Sequence, residues 1–302
     1  MQKTDPDYDN IVIGAGVAGL SAALYTSRLN HPTLVIDKGG GRINQVRHVH
    51  NYIGVTDDNT GDDLQSVGID QVKKHGGEFV HDKTVDATKE DGVFHVETDS
   101  GDVYTSRALV VATGMMDVFP QVPGLGRFNG HEVHYCLHCD AHLCIDEDVF
   151  VLGDDDHAAV VALILLNFTD DVTFLTNGET PELSEEYSEK IEANGIDVVE
   201  KEIACAEGDE HLERLVFEDG ESRKFDRGFA MLGGRVNNGI LESLGAELND
   251  SGYAVIDDDA KTDIDGLYAV GDVTDENNQI PIGVGKGAKA GLDIHKSLRE
   301  FP

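Results

Sequence analysis

The sequence predicts an α/β fold built from two doubly wound units, one nested within the other. A buried strand, a glycine-rich turn and a helix occupy residues 9–29, and the same order returns at residues 148–167. Towards the C-terminus another buried strand ends in an acid and a long helix follows it, as in the first unit. We therefore expect one domain from residues 1–117 and 246–302, and a second domain from residues 118–245.

The first turn has the glycine spacing of a dinucleotide site. An apolar strand leads into Gly14, Gly16 and Gly19, which form the pattern G-x-G-x-x-G before a helix. The first glycine makes the tight turn, the second lets a pyrophosphate approach the backbone, and the third lets the helix pack on the strand. Asp37 ends the next strand, where a carboxylate accepts hydrogen bonds from an adenosine ribose. This context predicts a Rossmann-like, dinucleotide-binding unit rather than a chance turn.

The charge of the chain restricts its partners and suggests its habitat. The formal net charge of -35 is spread along all 302 residues, so the surface repels nucleic acid and anionic membranes. The simpler interpretation is a merely acidic protein; we favour a cytosol with very high salt, where screening shortens the repulsion. No run has the length of a membrane span, and the N-terminus has no signal-peptide pattern, so we expect a cytoplasmic protein.

A C-x-x-C pair followed by an acid lies in the second domain. Two thiols at the spacing of Cys136 and Cys139 can close a disulfide, and each lowers the cost of ionising the other. In a chain without export signals this pattern indicates catalytic or metal chemistry rather than a structural disulfide. We interpret the pair as redox-active, with Asp140 directly behind it.

A metal site is the alternative for this segment. Its histidines and cysteines are His134, Cys136, His138, Cys139, His142 and Cys144. Structural zinc usually takes its four ligands from two separated pairs, whereas these residues lie in one short stretch and leave the acid unexplained. We therefore expect no metal, and we expect His138 to lower the pKa of the two thiols. Cys144 and Cys205 fit small buried apolar residues.

The combination resembles the low-molecular-weight thioredoxin reductases, within the pyridine-nucleotide-disulfide flavoprotein family. The resemblance extends over nearly the whole chain, and the C-x-x-C-D motif inside the second domain is its most specific part. The other matching motifs are the glycine turn with Asp37, Ala112-Thr113-Gly114, Gly271-Asp272, Gln279 and Gly285-Lys286-Gly287.

The resemblance implies that the first domain holds FAD. It implies a pyrophosphate at the glycine turn, the adenosine ribose at Asp37, the ribityl chain at Asp272, and the isoalloxazine ring beside Gln279 and the helix that follows. Asn51 resembles an asparagine that lies on the flavin side in this family. The cofactor-binding residues that we predict are Gly14, Gly16, Gly19, Asp37, Asn51, Thr113, Gly114, Asp272 and Gln279.

The resemblance also assigns roles in the second domain. Cys139 is the thiol that exchanges electrons with the flavin, Cys136 attacks the disulfide of a thioredoxin-like partner, and Asp140 gives and takes the proton. Thiol–disulfide exchange needs a thiolate and a proton for the leaving sulfur, which a neighbouring carboxyl supplies. A homodimer and a rotation of one domain against the other are further implications of the family.

The second glycine turn departs from the family. Asp154, Asp155 and Asp156 follow Gly153 where the family has small residues that receive the pyrophosphate of NADPH. The aspartates can also be explained as caps of the next helix, but that role leaves no phosphate site. Residues 175–179 contain no arginine for the additional phosphate of NADPH. We predict that NADPH is a poor donor or none, and by exclusion we expect reduced ferredoxin or another low-potential carrier.

Three functions remain open at this point. The first is a disulfide reductase that passes electrons from flavin through Cys136 and Cys139 to a thioredoxin-like partner. The second is a dithiol oxidase, in which the flavin passes electrons from a dithiol to oxygen. The third is a non-catalytic protein that binds FAD as a sensor. Because the C-x-x-C-D motif is intact, we rank the third function last.

Overall fold

The computed structural model describes residues 5–299 of the chain, which divide into two compact units. Unit 1 combines the chain up to residue 116 with the chain from residue 235 onwards, and unit 2 consists of residues 117–234. Among the described residues, no helix combines the length and the apolarity that crossing a bilayer requires.

The elements follow one another in the α/β order that the sequence predicts. The strands are β1 (Tyr8–Ile13), β2 (Thr33–Asp37), β3 (Glu78–His81), β4 (Thr84–Glu90), β5 (Val93–Thr98), β6 (Val103–Val111), β7 (Met115–Asp117), β8 (Val133–His134), β9 (Val149–Leu152), β10 (Val172–Leu175), β11 (Asp197–Val199), β12 (Ile203–Glu207), β13 (Arg214–Phe217), β14 (Ser222–Lys224), β15 (Arg227–Ala230), β16 (Gly234–Val236) and β17 (Leu267–Ala269). The helices are α1 (Val17–Arg28), α2 (Gly61–Lys74), α3 (Leu137–Asp140), α4 (Asp156–Leu165), α5 (Glu185–Ala193), α6 (Gly239–Leu244) and α7 (Ile280–Leu298).

The sheet of unit 1 has the order β3-β2-β1-β6-β5-β4, and β17 pairs with β6. Strands β1, β2, β3, β6 and β17 pair in parallel, whereas β4, β5 and β6 form an antiparallel meander. Along β1, Ile11 and Val12 are fully buried and belong to cores on opposite faces of the sheet. Burial on both faces explains the continuous apolar run, which is typical of parallel strands.

Helices α1 and α7 pack closely because α7 has glycines at the contact. A Cβ added to Gly287 would lie 2.1 Å from the carbonyl oxygen of Ala18, and one added to Gly291 would lie 2.8 Å from that of Ala22. The two backbones therefore approach more closely than any larger residue permits. This contact holds the beginning of α7 beside the beginning of α1, which follows the glycine turn.

The main sheet of unit 2 has the order β11-β10-β9-β15-β8, and all its pairs are parallel. Residues 149–151 of its central strand β9 are 0% exposed. Helix α4 packs over this sheet with the buried residues Ala158, Val161 and Leu165. A separate antiparallel sheet with the order β12-β13-β14 completes the unit.

The chain returns to unit 1 earlier than the sequence suggests. The expected return is at residue 246, whereas unit 1 resumes at residue 235, just after Gly233 and Gly234. Helix α6 therefore lies in unit 1, where Ile240 and Leu241 share an apolar core with Ile11. The short apolar pattern of α6 does not indicate which of the two cores it completes, so the sequence leaves this boundary open.

The helix contact can be tested with two glycines of α7. We expect Gly287→Ala to lower the free energy of unfolding by about 1–3 kcal/mol, because the added methyl meets backbone that cannot rotate away. Gly285→Ala is the matched control, because within residues 5–299 no atom outside the adjoining helix backbone lies within 4 Å of the added Cβ. Alanine is the better helix former there by about 1 kcal/mol, so this variant gains stability. Urea denaturation measures both, and equal stabilities would contradict the packing argument.

Candidate active site

In the glycine turn of unit 1, two glycines pack against backbone atoms and the third borders open space. Gly14 has a φ of 107°, and its added Cβ would lie 2.4 Å from the carbonyl oxygen of Ala112. A Cβ on Gly19 would lie 2.1 Å from the carbonyl oxygen of Gly14. Around Gly16, by contrast, none of the described atoms lies within 4 Å of an added Cβ. The chain itself therefore requires two of the glycines, and the third leaves room for a group that approaches the backbone.

The start of α1 matches a phosphate in charge as well as in shape. Gly16 is the N-cap, so no side chain caps α1, and its first turn has no acidic residue. The backbone N–H groups at a helix start are unsatisfied within the helix and carry a partial positive charge. The residues of this turn fit a dinucleotide pyrophosphate.

Asp37 is tied to the glycine turn by both oxygens. Its Oδ1 accepts a hydrogen bond from the backbone N–H of Ala15 at 2.9 Å, and its Oδ2 accepts one from that of Gly39 at 3.0 Å. Each carboxylate oxygen retains a second lone pair. Asp37 is thus oriented before any ligand arrives, and it can still accept a hydrogen bond from a ribose hydroxyl.

Asp272 lies after β17 and is paired with a cation. Nη1 of Arg42 lies 3.1 Å from Oδ2 of Asp272, and both side chains are about a quarter exposed. Gly271, directly before it, has a φ of 76° and would place an added Cβ 2.9 Å from the Cβ of Ala18. The turn therefore holds Asp272 close to α1. Sequence reasoning missed Arg42, because the two partners are far apart in the chain.

Two predicted residues meet at the start of α7. Nδ2 of Asn51 donates a hydrogen bond to Oε1 of Gln279 at 2.8 Å across 228 positions of sequence. Gln279 is the N-cap of α7 without a side-chain cap, and a proline lies in the first turn of the helix. A helix start of this kind favours a negative charge beside it.

Thr113 and Gly114 have a local structural role. The hydroxyl of Thr113 donates to the carbonyl oxygen of Asn237 at 2.6 Å, and Nδ2 of Asn237 donates to the carbonyl oxygen of Thr113 at 2.9 Å. Gly114 has a φ of 65°, in the left-handed region that glycine adopts easily. The hydroxyl and the carbonyl oxygen of Thr113 are therefore engaged with Asn237.

The two cysteines of the C-x-x-C motif form a disulfide. Cys136 and Cys139 are bonded, with their Cα atoms 5.3 Å apart. Cys136 directly precedes the one-turn helix α3, and its carbonyl oxygen accepts the N–H groups of Cys139 and Asp140, both at 3.2 Å. The half-buried sulfurs are thus held in one helical turn, and His138 between them is exposed.

Behind the disulfide, Asp140 is paired with a buried histidine. Nδ1 of His134 lies 3.1 Å from Oδ2 of Asp140, and the side chains are 3% and 22% exposed. The sequence suggested His134 only as a possible metal ligand. The sequence does show that His134 and Cys136 alternate with bulky apolar residues, as in a strand. That alternation predicts which face His134 lies on, but it does not identify Asp140 as its partner.

Cys144 is not a third reactive thiol. It is fully buried in the apolar core of unit 2. Burial raises the pKa of its thiol to about 12, and the carboxylates of Asp140 and Glu147 add to the shift. Because only the thiolate is nucleophilic, Cys144 is inert at neutral pH. Cys205 is also a free thiol and is only partly buried.

The model of the pyridine nucleotide-disulphide oxidoreductase family matches residues 8–287. The chain belongs to this family.

Named relatives narrow the assignment. The thioredoxin reductase of Peptoclostridium litorale is 32% identical over 313 residues, covering 97% of this chain and 98% of the relative. That of Treponema pallidum is 31% identical over 278 residues, covering 89% and 90%. The crystal structure of thioredoxin reductase from Streptococcus pyogenes is 26% identical and superposes with a TM-score of 0.91, covering 97% and 99%. The resemblance and the predicted fold class are confirmed: the chain is a thioredoxin reductase-like oxidoreductase with a C-x-x-C disulfide.

Within this member of the family, carboxylates close the second turn. Asp155 is the N-cap of α4, and its Oδ1 accepts the N–H of Ala158 at 2.9 Å. Oδ1 of Asp156 accepts the N–H of Ser184 at 2.7 Å, and the carbonyl oxygen of Asp154 accepts the N–H of Glu182 at 2.6 Å. The capping role that the sequence suggests for Asp155 is thus present, and the backbone N–H of Ala158 in the first turn of α4 is already engaged.

The open glycine can be tested by a substitution that the fold tolerates. We expect Gly16→Val to fold normally but to lose flavin, because its added side chain projects into the space where a pyrophosphate would lie. Gly239→Val is the matched control, since Gly239 is also open and has an ordinary φ. The ratio of flavin absorbance to protein in the purified variants measures the effect. Full flavin content in Gly16→Val would contradict the assignment.

Proposed function

We propose that this protein is an FAD-dependent disulfide oxidoreductase that passes electrons between flavin and a thioredoxin-like partner. The observation that carries the proposal is the Cys136–Cys139 disulfide in a single helical turn, directly followed by Asp140. When bound in unit 1 and reduced, FAD would supply the electron pair that opens this disulfide. The family membership and the named relatives support both the flavin and the partner.

The binding residues of unit 1 form the proposed FAD site. The turn at Gly16 would hold the pyrophosphate, Asp37 would hold the adenosine ribose, and Asp272 would hold the ribityl chain. Asn51 and Gln279 would orient the isoalloxazine ring. The start of α7 would stabilise negative charge on the reduced ring. Thr113 and Gly114 support the site through the backbone.

Unit 2 performs the exchange with the partner. The thiolate of Cys136 attacks one sulfur of the partner disulfide, and the other partner sulfur leaves with a proton from Asp140. Cys139 then loses its proton to Asp140 and attacks the sulfur of Cys136, which releases the second partner sulfur. One disulfide has formed in the protein and one has opened in the partner, so the electrons balance.

We propose a donor other than NADPH. At about 4 Å, a phosphate charge and one carboxylate repel each other by about 4 kcal/mol at an effective dielectric of about 20. That corresponds to roughly a thousandfold loss of affinity. The closed N-terminus of α4 supports this view, because Asp155 accepts the N–H group that a phosphate would need. Reduced ferredoxin is the donor that fits this exclusion.

The setting of the reaction follows from charge and resemblance. A net charge of -35 supports a cytoplasm of high salt and disfavours nucleic acid or a membrane as partner. A homodimer is the assembly that the resemblance implies. These assignments stay proposals of the same kind as the donor.

Anaerobic titration tests the donor. We expect NADPH to leave the flavin absorbance unchanged, reduced ferredoxin to bleach it, and dithionite to bleach it as the control for a reducible flavin. Replacing Asp154, Asp155 and Asp156 by Asn removes the charge and keeps a helix cap. We expect these combined substitutions to increase NADPH binding. Rapid bleaching of the unaltered protein by NADPH would overturn the proposal, and peroxide formation from a reduced dithiol in air would favour the dithiol oxidase.

The second cysteine can be tested separately. We expect Cys139→Ser to abolish electron transfer from flavin to the partner, because no internal disulfide can form. Cys205→Ser is the control, since Cys205 is a free thiol outside the motif. Stopped-flow absorbance of the reduced flavin with oxidised thioredoxin measures the transfer. Full turnover in Cys139→Ser would remove its assigned role.

A further inference from the structure

His134 is a buried polar side chain that the exchange reaction proposed above does not use. It lies on β8, where it pairs in register with Phe229 of β15. Its ring centroid is 5.4 Å from that of Phe229, and the side chain is 3% exposed. A histidine held this tightly in a sheet has a fixed position relative to its neighbours.

The two ring nitrogens of His134 have different surroundings. Nδ1 lies 3.1 Å from Oδ2 of Asp140, which is an ion-pair distance. Nε2 is buried and has no hydrogen-bond partner among the residues that the structure describes. Because an N–H group without an acceptor is rare in a protein interior, the proton belongs on Nδ1, where it faces the carboxylate.

We propose that His134 is a positioning residue for Asp140. Within residues 5–299, His134 is the one ion-pair partner of Asp140. Asp140 is the last residue of the four-residue helix α3, and a 3-10 helix at Ala141–Cys144 follows it directly, so its backbone is held on both sides. The contact with His134 ties the carboxyl to a strand of the main sheet.

The contact also distinguishes the two oxygens of Asp140. Nδ1 of His134 lies 3.1 Å from Oδ2, so Oδ1 is the oxygen that this contact leaves to the exchange reaction. As proposed above, Asp140 gives a proton to the departing sulfur of the partner and regains one from the thiol of Cys139. His134 takes no part in this proton transfer, so the balance of the exchange is unchanged. Alignment of an acid with the atom that it protonates is a large part of its catalytic effect.

This inference rests on the proposed role of Asp140, so the experiment separates the two. The full-length protein is reduced with dithiothreitol and desalted under argon. It is then mixed with one of two disulfides. Ellman's reagent releases a stable aromatic thiolate that needs no proton, whereas hydroxyethyl disulfide releases an alkyl thiolate that does. Absorbance follows the first reaction, and acid quenching with mass spectrometry follows the second.

His134→Asn and His134→Gln are the informative variants. The amide nitrogen of Asn lies near the place of Nδ1 and retains a donor to Asp140, whereas the longer Gln places its amide beyond it. We expect Gln to slow exchange with hydroxyethyl disulfide by roughly tenfold, with little change for Ellman's reagent, and Asn to restore most of the rate. His131→Leu, an exposed histidine of the same segment, is the control.

The outcomes distinguish positioning from a structural role. Selective slowing in His134→Gln and recovery in His134→Asn support the proposal. Equal slowing with both disulfides, or no slowing with either, overturns it. Asp140→Asn serves as reference: if it shows the selective loss and His134→Gln does not, only the inference about His134 fails. If Asp140→Asn itself shows no selective loss, the proposed role of the acid fails as well.

Discussion

The architecture of unit 1 depends on backbone contacts that only small residues allow, and they meet at Ala18 of α1. Gly271 after β17 and Gly287 of α7 approach this residue from two elements, and an added Cβ would lie within 3 Å of it in both cases. The glycine turn is held in the same way against the end of β6. Because these contacts involve only backbone atoms and the methyl group of Ala18, they position the starts of α1 and α7 without any long side chain. These two helix starts carry Gly16 and Gln279, which are candidate flavin-binding residues.

Carboxylates have opposite effects at the two glycine turns. In unit 1, Asp37 ends the neighbouring strand and accepts hydrogen bonds from the backbone N–H groups of Ala15 and Gly39. The N-cap of α1 is Gly16, which has no side chain. In unit 2, Asp155 is itself the N-cap and takes the N–H of Ala158. The same fold therefore presents one helix start that can receive a phosphate and one that its own chain has closed.

The C-x-x-C-D segment, residues 136–140, is held against the main sheet of unit 2. The disulfide lies in a single turn of helix, where the carbonyl oxygen of Cys136 accepts the N–H groups of Cys139 and Asp140. Asp140 at the end of that turn faces His134, which the sheet of unit 2 holds in place. Buried Cys144 nearby is kept protonated by its apolar surroundings and does not compete for the disulfide.

The sequence by itself determined the features that depend on short spacings: the strand-glycine-helix units, the C-x-x-C-D motif and the family. Glycine spacing and thiol spacing act within one turn of chain, so they can be recognised without a fold. Tertiary structure alone decided that Arg42 pairs with Asp272, that Asn51 meets Gln279, and that α6 belongs to unit 1. It also brought His134 to Asp140 by packing β8 against β15. Such contacts depend on how strands are ordered in a sheet, and no local periodicity encodes that order.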